Sequence, residues 1–323
     1  MKKICLVLYV FGNTYQEYIP LYLLSLFKIY PDYGVRIYLD RKISDNIKLQ
    51  LKPFEKFDVT YIEDFTDNLG MSEKAKKINQ IQKCQRWLFF DSKLLEYESV
   101  YIGDVDIFFC PERTPMFEEH LRHCDTIGMP YSNIARTSKL NRKLFSKDFA
   151  RNIIKFGIKE SISFYFSGVK CINKLSGLHF FKTKEYFEKV KPYLQKYVDE
   201  LNLLAEGKSK KYNLCSFNNE TMLFDLMKDC GFGTPSFSGK SSEYNTCDDG
   251  SKIWYRPHHG LHLGTFRNSF TTNNELAVVT SDLYKSYFEY YKDFKTSPAF
   301  ISLKENFSPY IIEILENMEN FYK

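Results

Sequence analysis

Short apolar segments alternate with helix-like segments over the first third of the chain, and this alternation constrains the fold more than any other feature. Strands are predicted over residues 4–10, 35–39, 58–62 and 99–102, and helices over 17–30 and 73–95. Strands that alternate with helices favour a largely parallel sheet, since each parallel connection needs a crossover. The sequence therefore predicts an α/β fold with a mostly parallel sheet and helices on both faces.

The rest of the chain continues this pattern less regularly. A further strand is predicted over 176–181, helices over 184–204 and 219–230, and two helices in the tail over 282–323. The chain has 323 residues, of which 44% are hydrophobic, and this is ample for a large core. We predict a main domain over residues 1–270 and a C-terminal helical appendage over 271–323.

The net charge, the cysteine spacing and the N-terminal sequence limit which classes of protein the chain can belong to. A net charge of +5 is too mild to argue for nucleic acid, although it suits an anionic substrate or membrane surface. The eight cysteines form no CxxC pair, which fits reduced thiols in the cytoplasm. The apolar run after Met1-Lys2-Lys3 imitates a signal peptide, but it is short and lacks a small-residue cleavage site. It is predicted to be a buried strand, and no stretch approaches the ~20 apolar residues of a membrane span.

The run VYIGDVDIFF, residues 100–109, places Asp104 and Asp106 at the end of a predicted strand. In a strand, these two side chains point to the same face. Neighbouring carboxylates are costly unless a cation lies between them, and a hard divalent cation such as Mn²⁺ or Mg²⁺ is the usual answer. Ligands of parallel sheets bind beyond this edge. The alternative is a pair of solvated aspartates, because a DxD triplet is expected about once by chance in such a chain.

A second segment, PHHGLHLGTFR over residues 257–267, combines histidines, glycines and an arginine. Neutral imidazole from His262 is a good Mn²⁺ ligand, Gly264 lets backbone approach a phosphate, and Arg267 can pair with phosphate oxygens. This set suits a metal-diphosphate group. The alternative is that the histidines bond within a loop, and this is the stronger interpretation for His258 and His259.

A third segment, NNETML over residues 218–223, places Glu220 in the first turn of a predicted helix. A carboxylate there favours the helix dipole, which is one explanation. The other is a carboxylate that faces the reacting sugar carbon of an oxocarbenium-like transition state. Position alone does not choose between them.

These segments carry a resemblance to a known family. The stretch from Arg86-Trp87-Leu88 to Asp106 resembles the donor-site segment of GT-A glycosyltransferases, which are Rossmann-like nucleotide-diphospho-sugar transferases. It looks most like the retaining glycogenin and lipooligosaccharide galactosyltransferase type. His262, Gly264 and Arg267 resemble the metal and diphosphate residues of that type, with a spacing one residue shorter and Arg in place of Lys.

Two further segments resemble the sugar-binding part of these enzymes. Asn219-Glu220-Thr221-Met222-Leu223 is similar to the segment of the blood-group galactosyltransferase type whose glutamate is the proposed nucleophile. Ser176-Gly177 resembles the small-residue strand that lines the sugar pocket.

The resemblance implies a metal-dependent hexosyltransferase, retaining in stereochemistry. It implies transfer of a hexose or N-acetylhexosamine from a UDP-sugar to a bacterial surface glycan or glycolipid, such as lipopolysaccharide or capsule. The metal ligands would be Asp104, Asp106 and His262, and the catalytic residues Glu220 and Asn219. The donor-binding residues would be Tyr9, Val10, Arg86, Asp104, Val105, Ser176, Gly177, Gly264 and Arg267, with the uracil near Tyr9 and Val10. Nucleic acid is not an expected partner.

Two other functions stay open at this level. A phosphohydrolase of the haloacid-dehalogenase type also ends a strand with DxD, but there Gly-Thr usually follows the second Asp near the N-terminus, whereas Ile107-Phe108 follow here at mid-chain. The other alternative is a binding module that keeps the fold and has lost turnover.

The tail interleaves aromatic residues with lysines. Tyr284, Tyr287, Phe288, Tyr290, Tyr291 and Phe294 recur beside Lys285, Lys292 and Lys295. Such a stripe suits core packing or an interfacial helix that meets a lipid-linked acceptor, and the second interpretation places the protein peripherally on the inner face of the membrane.

Overall fold

The structure is a computed structural model that describes residues 1–140, 146–167, 171–232, 244–246, 252–254, 259–267, 276 and 278–323. Its strands in chain order are β1 (Lys2–Val10), β2 (Gly34–Leu39), β3 (Val59–Ile62), β4 (Tyr97–Gly103), β5 (Ile107–Phe109), β6 (Tyr131–Ser132), β7 (Ala135–Lys139), β8 (Cys171–Leu175), β9 (His179–Lys182), β10 (Tyr244–Thr246), β11 (Lys252–Trp254) and β12 (Gly260–His262).

The described α-helices are α1 (Asn13–Gln16), α2 (Ile19–Ile29), α3 (Asp45–Leu51), α4 (Glu73–Lys76), α5 (Asn79–Leu88), α6 (Met116–Ile127), α7 (Lys147–Phe156), α8 (Ile158–Phe166), α9 (Thr183–Val190), α10 (Leu194–Ala205), α11 (Asn219–Asp229), α12 (Asp282–Phe294), α13 (Pro298–Lys304) and α14 (Pro309–Phe321). The chain divides into two compact units. Unit 1 comprises residues 1–65, 96–123 and 256–323, and unit 2 comprises residues 66–95 and 124–255.

A parallel sheet forms the centre of unit 1. Its strand order is β3-β2-β1-β4, and β1 pairs in parallel with β2 on one side and β4 on the other. The side chains from Ile4 to Leu8 are at most 1% exposed, as expected of a strand covered on both faces. This confirms the predicted α/β class with a mainly parallel sheet, and the prediction that the N-terminal apolar run is a buried strand.

Strand β5 follows β4 in unit 1 and pairs antiparallel with β12. The register sets His262 opposite Ile107 and Gly260 opposite Phe109, so that His262 lies beside the residue that follows Asp106. A Cβ at Gly260 would overlap the carbonyl oxygen of Phe108, and for this reason only glycine fits there. Tight pairing at Gly260 thus helps to fix where His262 lies.

Unit 2 contains two antiparallel strand pairs that matter for its candidate site. Strand β6 pairs with β9, and β7 pairs with β8. The predicted strand over 176–181 is shorter than expected, since β9 begins at His179 and residues 176–178 form an irregular connection. The side chain of Asn133 holds this connection, as described below.

The predicted continuous helix over 73–95 is wrong. Ser72 caps α4 as predicted, its hydroxyl oxygen accepting from the N–H of Ala75, but α4 ends at Lys76 and α5 ends at Leu88. The chain then extends, and Phe90 packs edge-on against Phe187 at 4.9 Å between ring centroids. A tertiary ring contact thus takes the place of a further helical turn there.

The predicted helix over 184–204 is also divided. A turn of 3₁₀ helix, Lys191–Tyr193, separates α9 from α10. Pro192 lies in this turn and lacks the N–H that a continuous α-helix would need. The helix predicted over 219–230 is confirmed as α11, with Gly231 following it at a φ of 73°.

The tail forms three helices, α12 to α14, rather than the predicted two. Ser281, Ser297 and Ser308 each cap one helix through the side-chain oxygen, and prolines open α13 and α14. Five of the six aromatic residues of the α12 stripe are buried, at 1–7% exposure, as core packing requires, and Tyr290 is half-buried. The predicted domain boundary at residue 270 lies outside the described residues.

Two further observations bear on the class of protein. Over the described part of the chain, every helix is too short or too polar to cross a lipid bilayer. The seven cysteines that the structure describes are all free.

Candidate active site

Asp104, Asp106 and His262 converge in unit 1. Each side chain offers one ligand-type atom, and these three atoms lie within 4.8 Å of one another. The two aspartates lie in the connection between β4 and β5, directly after the end of the strand as predicted. The strand stops at Gly103, so convergence here comes from a bend and not from strand alternation. We call these three residues the carboxylate–imidazole cluster.

Asp106 is the buried member of this cluster, with 4% exposure. Its Oδ2 accepts a hydrogen bond from Arg267 Nη2. Its Oδ1 is buried and has no hydrogen-bond partner among the described residues, and it lies 3.3 Å from His262 Nε2. Burial alone would raise the pKa of Asp106, but His262 and Arg267 outweigh burial and lower it to about 2. The carboxylate is therefore ionised at neutral pH.

His262 presents Nε2 toward Asp106. Its Nδ1 lies 3.3 Å from Thr265 Oγ1, which helps to fix the orientation of the ring. Burial would lower the pKa of His262, but the carboxylates of Asp106 and Asp104 outweigh it and raise the pKa. Two carboxylates and one imidazole, with the buried Oδ1 of Asp106 facing the imidazole, fit the ligand set of a divalent metal such as Mn²⁺.

Two tyrosines hold Arg267 beside the cluster. Arg267 Nε donates to Tyr18 Oη at 3.0 Å, and Nη1 donates to Tyr15 Oη at 2.8 Å. The guanidinium carbon lies 4.8 Å from the centre of the Tyr15 ring. Tyr15, Tyr18 and Thr265 were not predicted from the sequence, where nothing separates them from the other tyrosines and threonines of the chain.

Gly264 lies against the same ion pair. A Cβ at this position would meet Asp106 Oδ2, and it would lie 2.8 Å from Arg267 Nη2. The absence of a side chain therefore allows Asp106 and Arg267 to pair.

Three more of the predicted donor-binding residues lie in unit 1. Tyr9 is near the end of β1, and its ring stacks on Tyr38 with 5.0 Å between centroids. Val10 is fully buried, and its carbonyl oxygen accepts from the N–H of Asp40. Val105 lies between the two aspartates with 5% exposure. Tyr9 is thus the one of the three with a partly exposed side chain.

His259 belongs to a different group in unit 1. Its Nδ1 lies 2.6 Å from Glu112 Oε2, and its Nε2 lies 2.9 Å from His120 Nε2. Tyr287 Oη donates to Glu112 Oε1 at 2.7 Å. We call Glu112, His120, His259 and Tyr287 the buried network. One ligand-type atom from each of Glu112, Glu119 and His259 also lies within 4.8 Å of the other two. His258 lies outside the described residues.

Arg86, Gly177 and Glu220 come together in unit 2. Glu220 Oε1 accepts a hydrogen bond from the N–H of Gly177 at 3.1 Å. A Cβ at Gly177 would lie 2.7 Å from Arg86 Nη2 and 3.6 Å from Glu220 Oε1. The guanidinium carbon of Arg86 lies 4.5 Å from the centre of the Trp87 ring. We call these three residues the Glu220 cluster.

Asn133 fixes the backbone on which Gly177 lies. Its Oδ1 accepts from the N–H of Ser176 at 2.7 Å, and its Nδ2 donates to the carbonyls of Ser176 and Leu178, each at 3.1 Å. Ser176 is itself 7% exposed. The sequence analysis did not identify Asn133, because a single asparagine carries no spacing signal.

Asn219 is the first residue of α11 and lies directly before Glu220. It is buried, and its Nδ2 has no hydrogen-bond partner among the described residues. Asn218 caps the helix, its Oδ1 accepting from the N–H of Glu220 at 2.8 Å. The start of α11 therefore positions Glu220. This position fits both a favourable interaction with the helix dipole and a carboxylate that faces a sugar.

Comparison with protein-family models gives no match for this chain, and comparison with curated proteins gives none. Among solved structures, it is similar to the mannosyltransferase Ktr4p from S. cerevisiae in complex with GDP, at 12% identity and a TM-score of 0.41, over 69% of this chain and 66% of that chain. It is similar to core-mannan synthase A from Aspergillus fumigatus in its Mn/GDP form, at 12% and 0.44, over 70% of each chain. It is similar to the galactosyltransferase LgtC in complex with donor and acceptor sugar analogs, at 15% and 0.35, over 69% and 70%. These three are glycosyltransferases, the class of enzyme that the sequence motifs resemble.

Proposed function

We propose that this protein is a metal-dependent glycosyltransferase that moves a hexose or N-acetylhexosamine from a UDP-sugar to a bacterial surface glycan or glycolipid, with retention. The observation that carries the proposal is the convergence of Asp104, Asp106 and His262 within 4.8 Å, beside Gly264 and Arg267. More than 150 positions of the chain separate the two aspartates from His262. Folding brings them together at the end of a parallel strand, where ligands of such sheets bind.

The carboxylate–imidazole cluster would hold Mn²⁺ or Mg²⁺. Asp106 would offer its buried Oδ1, His262 its Nε2, and Asp104 a second carboxylate. The metal, when bound, supplies Lewis-acid stabilisation of the diphosphate that leaves the sugar.

Arg267 would bind the diphosphate of the donor. Tyr15 and Tyr18 orient its guanidinium group, so that little conformational entropy is lost when a phosphate oxygen is bound. Gly264 would let a phosphate approach the backbone closely. Tyr9 and Val10 at the end of β1, together with Val105, would contact the uridine, with the partly exposed ring of Tyr9 available for stacking on the base.

The Glu220 cluster would act on the sugar. Its carboxylate is held by the N–H of Gly177, and it would stabilise positive charge at the anomeric carbon or form a covalent intermediate. Arg86 would balance the charge of the departing diphosphate, Ser176 and Gly177 would line the sugar pocket, and Asn219 would support Glu220. Retention then follows from a double displacement at Glu220 or from attack on the leaving-group face.

A cytoplasmic location is part of the proposal. Nucleotide sugars would be available there, and the free state of the seven described cysteines suits a reducing compartment. The lipid-linked acceptor would be met at the inner face of the membrane.

A donor screen tests the proposal directly. The thermal unfolding midpoint is measured with UDP-glucose, UDP-galactose, UDP-GlcNAc and UDP-GalNAc, each with and without Mn²⁺, and with GDP-mannose for comparison. At least one UDP-sugar should raise the midpoint only with Mn²⁺, because a ligand at 100 times its Kd stabilises the folded state by about 2.7 kcal/mol. No shift with any UDP-sugar and Mn²⁺ would contradict the proposal.

Turnover separates the alternatives. Hydrolysis or transfer of the stabilising donor is expected with Mn²⁺. Phosphate release from p-nitrophenyl phosphate without any nucleotide sugar would instead favour a phosphohydrolase. Binding of UDP and Mn²⁺ without turnover of any donor would favour a non-catalytic module.

Gly177→Ala is expected to lower donor turnover by roughly 10- to 100-fold while the fold is retained. The new Cβ would displace the Arg86 guanidinium, which is the far end of a flexible side chain, and an error of about 1 Å in position costs up to ~10²-fold in rate. The measurement is kcat/KM of the variant in two backgrounds, unmodified and Arg86→Met. In the Arg86→Met background the added effect of Gly177→Ala should largely vanish. An undiminished effect would show that Gly177 does not act through Arg86.

A further inference from the structure

One helical hairpin of unit 2 carries an unusual exposed surface. Helices α7 and α8 are joined by Gly157, whose φ of 88° suits glycine and breaks the helix. Phe149 near the start of α7 packs edge-on against Tyr165 near the end of α8, with 4.8 Å between ring centroids. The two helices therefore fold back on each other, and we call residues 147–166 the α7–α8 hairpin.

The hairpin exposes large apolar side chains. Ile154 is 87% exposed, Ile158 62%, Ile162 46% and Phe166 70%. Over the described residues eleven large apolar side chains are exposed, and these four fall within thirteen consecutive positions, so the exposure is concentrated here. Scattered single exposed apolar residues are normal, but a contiguous group marks an interaction surface.

The apolar residues of α8 lie on one side of the helix. Ile158, Ile162 and Phe166 follow one another at intervals of four and are exposed, while Ser161, Phe164 and Tyr165, on the adjoining part of the helix surface, are buried. The buried side chains anchor helix α8, and the exposed apolar side chains form a stripe that faces solvent. Exposure of such a stripe to water costs roughly 25 cal/mol of free energy for each Å² of apolar surface.

Basic side chains accompany the stripe. Lys147, Arg151, Lys155 and Lys159 are all exposed. The hairpin contains two acidic residues, Asp148 and Glu160, and Asp148 lies 3.5 Å from Arg151. Four cations minus two anions leave a net charge of +2 on a twenty-residue segment. An occupant of this surface must therefore offer apolar contact and negative charge together.

The interface of an anionic lipid bilayer offers both. Isoleucine and phenylalanine enter the boundary between headgroups and acyl chains, while lysine and arginine remain at the level of anionic headgroups. Protein interfaces, in contrast, are depleted in lysine. The aromatic stripe of α12 is not the membrane-binding surface that we infer, because five of its six aromatic residues are buried in unit 1.

We propose that the α7–α8 hairpin docks the protein on an anionic membrane surface, with Ile154, Ile158, Ile162 and Phe166 inserted at the interface. The contact does not depend on the donor chemistry proposed above. It would hold the protein at the surface where a lipid-linked molecule is available.

Sedimentation with lipid vesicles tests the proposal with the full chain. Binding is expected to phosphatidylcholine vesicles that contain phosphatidylglycerol, and to be at least roughly tenfold weaker with phosphatidylcholine alone. Ile158→Ser/Phe166→Ser should lower binding by at least about tenfold, since two inserted side chains are lost. The matched control is Leu49→Ser/Ile301→Ser, which removes side chains of 61% and 51% exposure from helices of unit 1 and should leave binding unchanged.

A charge-reversal pair tests the electrostatic part. Lys155→Glu/Lys159→Glu should weaken binding to the anionic vesicles by more than roughly tenfold, because each basic residue near such a surface contributes about fivefold. Lys52→Glu/Lys56→Glu changes the net charge equally on exposed residues of unit 1 and should have much less effect. Thermal unfolding and donor-dependent turnover, measured without vesicles, should be unchanged in both hairpin variants, and this separates the proposal from the enzymatic one.

Two results would overturn the membrane proposal. One is equal binding of the hairpin variants and the control variants to anionic vesicles. The other is the absence of vesicle binding together with a concentration-dependent dimer, seen by analytical ultracentrifugation, that Ile158→Ser/Phe166→Ser abolishes. In that case the hairpin would be a contact between two copies of the chain.

Discussion

Asp106→Asn is expected to lower Mn²⁺-dependent turnover by about 10²–10³-fold or more. The substitution removes the negative charge that faces His262 and Arg267, and a neutral amide binds a divalent cation more weakly than a carboxylate does. It also leaves the Arg267 guanidinium without its carboxylate partner, although the hydrogen bonds to Tyr15 and Tyr18 remain.

Mn²⁺ binding without any nucleotide provides a readout that does not depend on activity. Electron paramagnetic resonance of free Mn²⁺ should show weaker binding in Asp106→Asn than in the unmodified chain. Asp45→Asn is the matched control, because Asp45 is almost fully exposed and distant in sequence. Retained Mn²⁺ affinity in a folded Asp106→Asn variant would contradict the proposed metal site, even if turnover were lost.

Glu112→Ala is expected to lower the free energy of unfolding by about 3–5 kcal/mol. The Glu112 side chain is fully buried, and it accepts from Tyr287 Oη while facing His259 Nδ1. Removing one partner of a buried charged network leaves the other polar groups unsatisfied, in addition to a cavity. The effect on stability should therefore exceed that of any exposed carboxylate of the chain.

Urea unfolding measures this difference. Glu118→Ala is the control, since Glu118 is exposed on the same helix as Glu119 and His120, and it should change the free energy by no more than about 0.5 kcal/mol. A loss below about 1 kcal/mol in Glu112→Ala would show that the buried network contributes little. Unfolding of the unmodified chain in a chelator is a second control, which asks whether Glu112, Glu119 and His259 also hold a metal.

The candidate metal ligands could be predicted from the sequence for a physical reason. A pair of carboxylates in an apolar run, such as Asp104 and Asp106, is energetically unusual and therefore informative. The parallel sheet was likewise predictable, because buried parallel strands read as continuous apolar runs such as residues 4–10. Ser72 and Gly231 were predictable as cap residues, since helix ends impose local requirements.

Other features depended on contacts between distant segments. The helix predicted over 73–95 ends at Leu88, and Phe90 beyond its end packs against Phe187, nearly a hundred positions later in the chain. Arg267 is oriented by Tyr15 and Tyr18, and Gly177 by Asn133, through bonds that no spacing rule contains. The membrane contact expected from the α12 stripe is a similar case, since periodicity does not reveal which of two amphipathic segments is covered.

The sequence by itself determined the class of sheet, the position of the paired aspartates at its edge and the kinds of ligand that the histidine-rich segment could supply. Only the tertiary structure decided which histidine joins which acids: His262 lies with Asp104 and Asp106, and His259 with Glu112. The reason is that residue type sets what a side chain can bind, whereas strand register, here the pairing of β12 with β5, sets what it meets.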